Sequence, residues 1–108
     1  MLVLFDQGTP IGIRDFLENH KVKTAREQGW STLLNGDLLT EAESAGFEVL
    51  VTTDKNLAYQ QNLAARKIAI VVLGRARWSL IQSEMARVIK AVDDAQAGTY
   101  TVVEISEE

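Results

Sequence analysis

The sequence predicts a three-layer α/β/α fold built on a mostly parallel five-stranded sheet. Three observations lead there. Short apolar runs alternate with helical segments along the whole chain, the pattern of a parallel sheet with crossovers. The runs at Val49-Leu50-Val51 and within Lys67 to Leu73 are apolar at consecutive positions, as in strands buried on both faces. The chain has 108 residues, 46% hydrophobic and 24% charged, enough for one domain with a single ordinary core.

In chain order, Leu2 to Phe5 reads as a buried strand ending at Asp6. Gln7-Gly8 turns, and Thr9-Pro10 reads as N-cap and first position of a helix to about Glu18 that buries Ile13, Phe16 and Leu17. A second strand follows over Val22 to Ala25, then a connection, Arg26 to Asn35, with no clear period. A helix from about Gly36-Asp37 buries Leu38, Leu39, Ala42 and Ala45 and stops at Gly46, a residue suited to the left-handed position past a helix end. Phe47 to Thr53 is the third strand, ending at Asp54, and Asn56 to Ala64 reads as a short helix. Lys67 to Leu73 is the fourth strand. Ser79 and Gln82 have capping-box spacing for the longest helix, whose stripe is Ile81, Met85, Val88, Ile89 and Val92. Tyr100, Val102 and Ile105 mark a more polar last strand, expected at an edge. The domain is thus 1–105, followed by an acidic tail, 106–108. Right-handed crossovers and the spatial order second, first, third, fourth, fifth complete the expected topology.

Composition removes several function classes. There is no cysteine, hence no disulfide, thiolate metal site or Cys nucleophile. No apolar run reaches the roughly 20 residues of a membrane helix. No basic segment precedes the first apolar residues, so a secretory signal is not expected and a cytoplasmic location is the default. Eleven basic against fifteen acidic residues leave a net charge of −4, unlike proteins that bind nucleic acid through a broad basic surface. His20, the only histidine, falls at the opposite end of the strands from the candidate acids, which excludes triads. Gly8 and Gly12 do not form a phosphate loop.

In this topology every strand-to-helix connection lies at one edge of the sheet. That edge collects Asp6, Asp37 and Asp54. With the first and third strands adjacent, Asp6 and Asp54 leave the sheet about 5 Å apart, one strand spacing. Carboxylates that close repel unless a cation lies between them, and hard oxygen donors suit Mg²⁺ or Mn²⁺. Glu41, one turn after Asp37, could add a ligand or hold a metal-bound water. Arg26, Lys55, Arg75 and Arg77 follow strands at the same edge and suit phosphates, while Trp78 could stack a base. A phosphodiester is the substrate class such a set fits. Asp37 and Asp54 equally suit helix caps, an account that Asp6 resists because Thr9-Pro10 already supplies a start.

At Leu4-Phe5-Asp6 with Pro10 shortly after, at Asp37-Leu38-Leu39, and at Val49-Leu50-Val51-Thr52-Thr53-Asp54-Lys55-Asn56-Leu57, the chain resembles small bacterial PIN-like domain proteins. These are relatives of the PIN-domain nucleases, many of them toxins of toxin–antitoxin pairs. The resemblance implies a PIN-like fold and a Mg²⁺- or Mn²⁺-dependent ribonuclease, with Asp6, Asp37 and Asp54 at the family's acidic positions and a cognate antitoxin as a partner. Gln7 and Asn56 stand where relatives carry further acids; Asn56 retains an oxygen that can ligate. The competing expectation is an interaction module with a degraded site that binds a protein partner. A third class, a phosphoacceptor receiver domain, is disfavoured by Gln7, Gly74 and the lack of a lysine ending the last strand. The edge-like last strand leaves room for a homodimer.

Overall fold

The computed structural model describes residues 1–33, 35–55 and 65–105. Its strands are β1 (Leu2–Phe5), β2 (Lys21–Thr24), β3 (Val49–Thr52), β4 (Ala69–Leu73) and β5 (Tyr100–Val103). They form one parallel sheet in the order β2-β1-β3-β4-β5, the order expected from the sequence. Between them lie a 3₁₀ helix (Ile11–Phe16) and the helices α1 (Asn35–Ser44), α2 (Trp78–Ser83) and α3 (Met85–Asp93). The short helix expected over Asn56 to Ala64 lies outside the described residues.

The consecutive apolar runs do mark strands covered on both faces: β3 and β4 are buried at every position. Val3, Phe5, Val49, Val51, Val71 and Leu73 point to one face, under the 3₁₀ helix, α2 and α3. Leu4, Leu50, Ile70 and Val72 point to the other, under Leu38, Leu39 and Ala42 of α1. Ala45 does not join them, because it lies past the end of α1 and is exposed.

The crossovers do not share one hand. The β1–β2 connection runs toward the β2 side over the first face, whereas the β4–β5 connection runs the opposite way over that same face. The β2–β3 connection runs in that opposite direction over the second face, and so matches the hand of β1–β2. A uniform right-handed winding, expected because it is the general rule, therefore does not hold here. Packing explains the exception: Ile81, Met85, Val88 and Val92 fill the first face beside Ile13 and Leu17, which a 3₁₀ helix alone leaves open.

Two helices differ from expectation for local reasons. Thr9 does not cap the first one. Its hydroxyl donates to the Val51 carbonyl (2.8 Å), so Pro10 takes the cap position without a side-chain bond and the segment tightens into six 3₁₀ residues. Ile13 and Leu17 are buried, but Phe16 is 46% exposed. The long helix is broken at Glu84 (φ −116°, ψ 20°), and Ser79–Gln82 is no capping box, since Arg77 occupies the cap of α2. Neither Pro nor Gly forces the break. Trp78 of α2 packs against Phe16 and the Gly12 backbone, while α3 lies on the sheet, so the two halves follow different surfaces.

A methyl group on Gly12 would stand 2.6 Å from the Trp78 ring. Gly12→Ala should therefore cost about 1–2 kcal/mol by overpacking, the ring tilting to relieve part of it. Urea unfolding followed by tryptophan fluorescence measures this.

Glu43, near the end of α1, ties that helix to the segment before β4. Its carboxylate accepts from Arg66 (2.8 Å) and from the Lys67 and Ile68 N–H groups (2.5 and 3.3 Å). Burial pushes its pKa up, but the Arg66 and backbone hydrogen bonds outweigh burial and hold it below the ordinary glutamate value. Because the folded value is the lower one, the stabilisation is present at neutral pH. It is lost as the pH falls below about 4.3 and through the lowered folded value. Glu43→Gln should cost about 1 kcal/mol at pH 7 and progressively less toward pH 3, read from urea midpoints of both proteins.

Candidate functional site at the carboxyl edge of the sheet

The strand order reverses at β1, whose neighbours are β2 and β3, and ligands of open α/β sheets bind at the carboxyl ends of such strands. Asp6 continues β1 there. Its N–H donates to the Val51 carbonyl (3.0 Å), prolonging the β1–β3 ladder by one bond and fixing where its side chain starts. Oδ1 accepts from the Gln7 N–H (2.7 Å), and Oδ2 accepts from the hydroxyl of Thr52 (2.8 Å). The same Thr52 oxygen accepts from the Asp54 N–H (3.0 Å). One fully buried hydroxyl thus links the first strand's carboxylate to the backbone of the third strand's. The loop after β1 is pressed on the loop after β3, since a methyl on Gly8 would lie 2.6 Å from the Thr53 hydroxyl.

Asp6 and Asp54 are both half-buried. Asp37 is the third residue of α1, so it lies in the first turn and not at the cap; there its charge complements the helix dipole. It is exposed, as is Glu41. Among the described residues no three acid, histidine or cysteine side chains converge into a metal-binding group. The structure therefore draws Asp6 toward Asp54 and does not add Asp37 or Glu41 to them. Asn56 lies outside the described residues.

Asp6 borders a cleft of about 570 Å³ lined by Gln7, Thr9, Ile11, Thr24, Arg26 and Glu27. Two of the sequence candidates, Asp6 and Arg26, thus share one cavity. Arg75 and Arg77 line a separate hollow of about 350 Å³ beyond β4, with Ala76 and Leu80. Lys55, next to Asp54, is exposed, as are Arg26, Arg75 and Arg77. Basic side chains therefore stand on both sides of the two carboxylates. Trp78 is half-buried against Phe16, with ring centroids 6.3 Å apart, and packs on Gly12, which leaves less of its ring for a base.

His20 is far from this edge, in the turn before β2, where its Nε2 lies 2.5 Å from Asp93 Oδ1 and joins that turn to the end of α3.

Thr52 and Glu27 join this edge without being among the sequence candidates. Thr52 reads as one more strand residue, and only the β1–β3 register shows that its hydroxyl faces Asp6. Glu27 had a visible signal, the Thr24-x-x-Glu27 spacing. The Thr24 N–H donates to Glu27 Oε1 (2.9 Å) and the Glu27 N–H to Thr24 Oγ1 (3.0 Å), a reciprocal box that closes a turn here instead of starting a helix. The Thr24 N–H and the Arg14 guanidinium (2.6 Å) hold the Glu27 carboxyl below its ordinary pKa. One wall of the cleft is thereby a fixed anion beside Arg26.

The chain matches no protein-family model, and neither a curated protein nor a solved structure matches it.

Proposed function

We propose that the carboxyl edge around Asp6 and Asp54 is a metal-dependent phosphodiesterase site acting on RNA. The observation that carries this reading is the Asp54 N–H to Thr52 hydroxyl to Asp6 carboxylate link, which holds two acidic residues together at the point where the strand order reverses. The donor chemistry fits the implied ion: Mg²⁺ binds through one or two carboxylates and keeps its remaining positions for water and substrate phosphate. Asp6 and Asp54 would hold it. When bound, such a cation lowers the pKa of a water ligand and offsets phosphate charge.

The protein's own groups do the rest. Thr52 spends its hydroxyl proton on Oδ2 of Asp6, so that carboxylate stays oriented without rearrangement. Arg26 on one side and Arg75 and Arg77 on the other offer guanidinium forks to phosphates flanking the scissile one. Lys55 adds a point charge, and Trp78 offers its uncovered part for stacking. RNA as substrate and an antitoxin as partner come from the PIN-like resemblance; an inhibitor of this kind would have to cover the Asp6 edge.

The test is cleavage of single-stranded and structured RNA with Mg²⁺ or Mn²⁺, comparing the native chain with Asp54→Asn. Cleavage that needs the metal and disappears in the variant supports the site, and equal cleavage by both removes it. A second reading, a protein-binding module that keeps the fold without turnover, is favoured by Gln7, which stands where a further acid would strengthen the metal site. Absence of Mn²⁺ binding at millimolar metal, together with a stable complex with a protein partner, would select it.

A further inference from the structure

The two outer strands of the sheet are guarded unequally. β2 reads Lys-Val-Lys-Thr, and lysines on an edge strand discourage pairing with another chain. β5 reads Tyr-Thr-Val-Val, with no charge and no proline, and leaves Tyr100 48% and Val102 45% exposed. No strand among the described residues lies beyond it.

Its free backbone groups can be identified. The Ile70 N–H donates to the Thr99 carbonyl and the Gly74 N–H to the Val103 carbonyl, both at 2.9 Å. In a parallel pair this turns the N–H and C=O groups of Thr101 and Val103 toward β4, and those of Tyr100 and Val102 outward.

We propose that β5 pairs with β5 of a second copy of this chain, antiparallel about a two-fold axis at Thr101, joining both sheets into one. Outward groups must meet outward groups, and this register does so, setting Tyr100 of each copy opposite Val102 of the other as hydrogen-bonded pairs. Both side chains lie on the face of Ile70 and Val72, so the register makes two aromatic–β-branched cross-strand pairs, a favoured combination. On the opposite face Thr101 meets its own counterpart, also a favoured pair.

Charge agrees with the same axis. A groove of about 340 Å³ between β5 and α3 is lined by Arg87, Lys90 and Asp94, among others. α3 runs back from the carboxyl edge, so Arg87 lies toward that edge and Asp94 toward the amino edge. The two-fold axis sets the carboxyl edge of one copy beside the amino edge of the other, and hence the Arg87 end of α3 beside the Asp94 end of the second copy's. Arg87 pairs with Glu84 and Asp94 with Lys90 on their own helix, and the Arg87 and Asp94 side chains remain 66% and 62% exposed.

The test uses the absence of cysteine in the chain. Facing residues of a non-hydrogen-bonded antiparallel pair have Cα atoms about 4.5 Å apart, within disulfide reach. Thr101→Cys should link covalently into a dimer on mild oxidation, whereas Ser79→Cys, exposed on α2, should not. The native chain should show twice the monomer mass by light scattering, and Val102→Lys half of that with an unchanged circular dichroism spectrum. A native chain that is monomeric at every concentration would overturn the proposal, even if an added extended peptide bound β5. So would a dimer that Val102→Lys leaves intact and Thr101→Cys fails to link.

Discussion

Asp6→Asn should lower Mg²⁺-dependent RNA cleavage by at least about 100-fold, equivalent to about 2.7 kcal/mol of transition-state stabilisation. Losing a group that merely orients a metal ligand costs 10- to 100-fold, and Asp6 is proposed as a ligand itself. The substitution keeps shape and size. It removes the negative charge and one of two acceptor oxygens, so the single amide oxygen can accept from the Thr52 hydroxyl or from the Gln7 N–H but not hold both bonds as the carboxylate does. Initial rates at saturating metal measure the effect. Unchanged rates would take Asp6 out of the chemistry and leave its hydrogen bonds as loop structure.

Thr52→Val should reduce cleavage by about 10- to 100-fold and cost about 1–3 kcal/mol of stability. Valine fills the same space, so no cavity opens at this fully buried position. What is lost is the one group that satisfies Asp6 Oδ2 and the Asp54 N–H together. A purely structural role would move stability alone. The distinguishing readouts are Mn²⁺ affinity, which should fall with activity, and Thr52→Ser, which restores the hydroxyl and should recover most of both.

The sheet was legible because burial on both faces writes itself as consecutive apolar residues. Val49-Leu50-Val51 and the run to Leu73 read as central strands, and their alternation with helices implies a parallel sheet, although alternation alone does not set the strand order. The start of the first helix is not legible, because Thr9-Pro10 looks the same whether the threonine caps a helix or, as here, bonds to a neighbouring strand's carbonyl 42 residues away in sequence. The break at Glu84 and the opposite hand of the last crossover were hidden for a similar reason. Both depend on α2 following the 3₁₀ helix through Trp78 and Gly12, a contact no local pattern encodes.

At the candidate site the placement of Asp6 beside the end of β3 could be read from topology alone, since adjacent strands put their exits side by side. Thr52 could not, because its role depends on which way one hydroxyl faces across the β1–β3 ladder. Asp37 is the ambiguous case. Topology does bring the start of α1 to the correct edge, but a helix start carries its own need for a carboxylate, and Asp37 is placed and exposed as that need alone would have it.

The most direct measurement is anomalous diffraction from crystals soaked in Mn²⁺. The expected result is an ion bonded to carboxylate oxygens of both Asp6 and Asp54, with the Thr52 hydroxyl still donating to Asp6. Asp6 and Asp54 without an ion between them at saturating Mn²⁺ would contradict it.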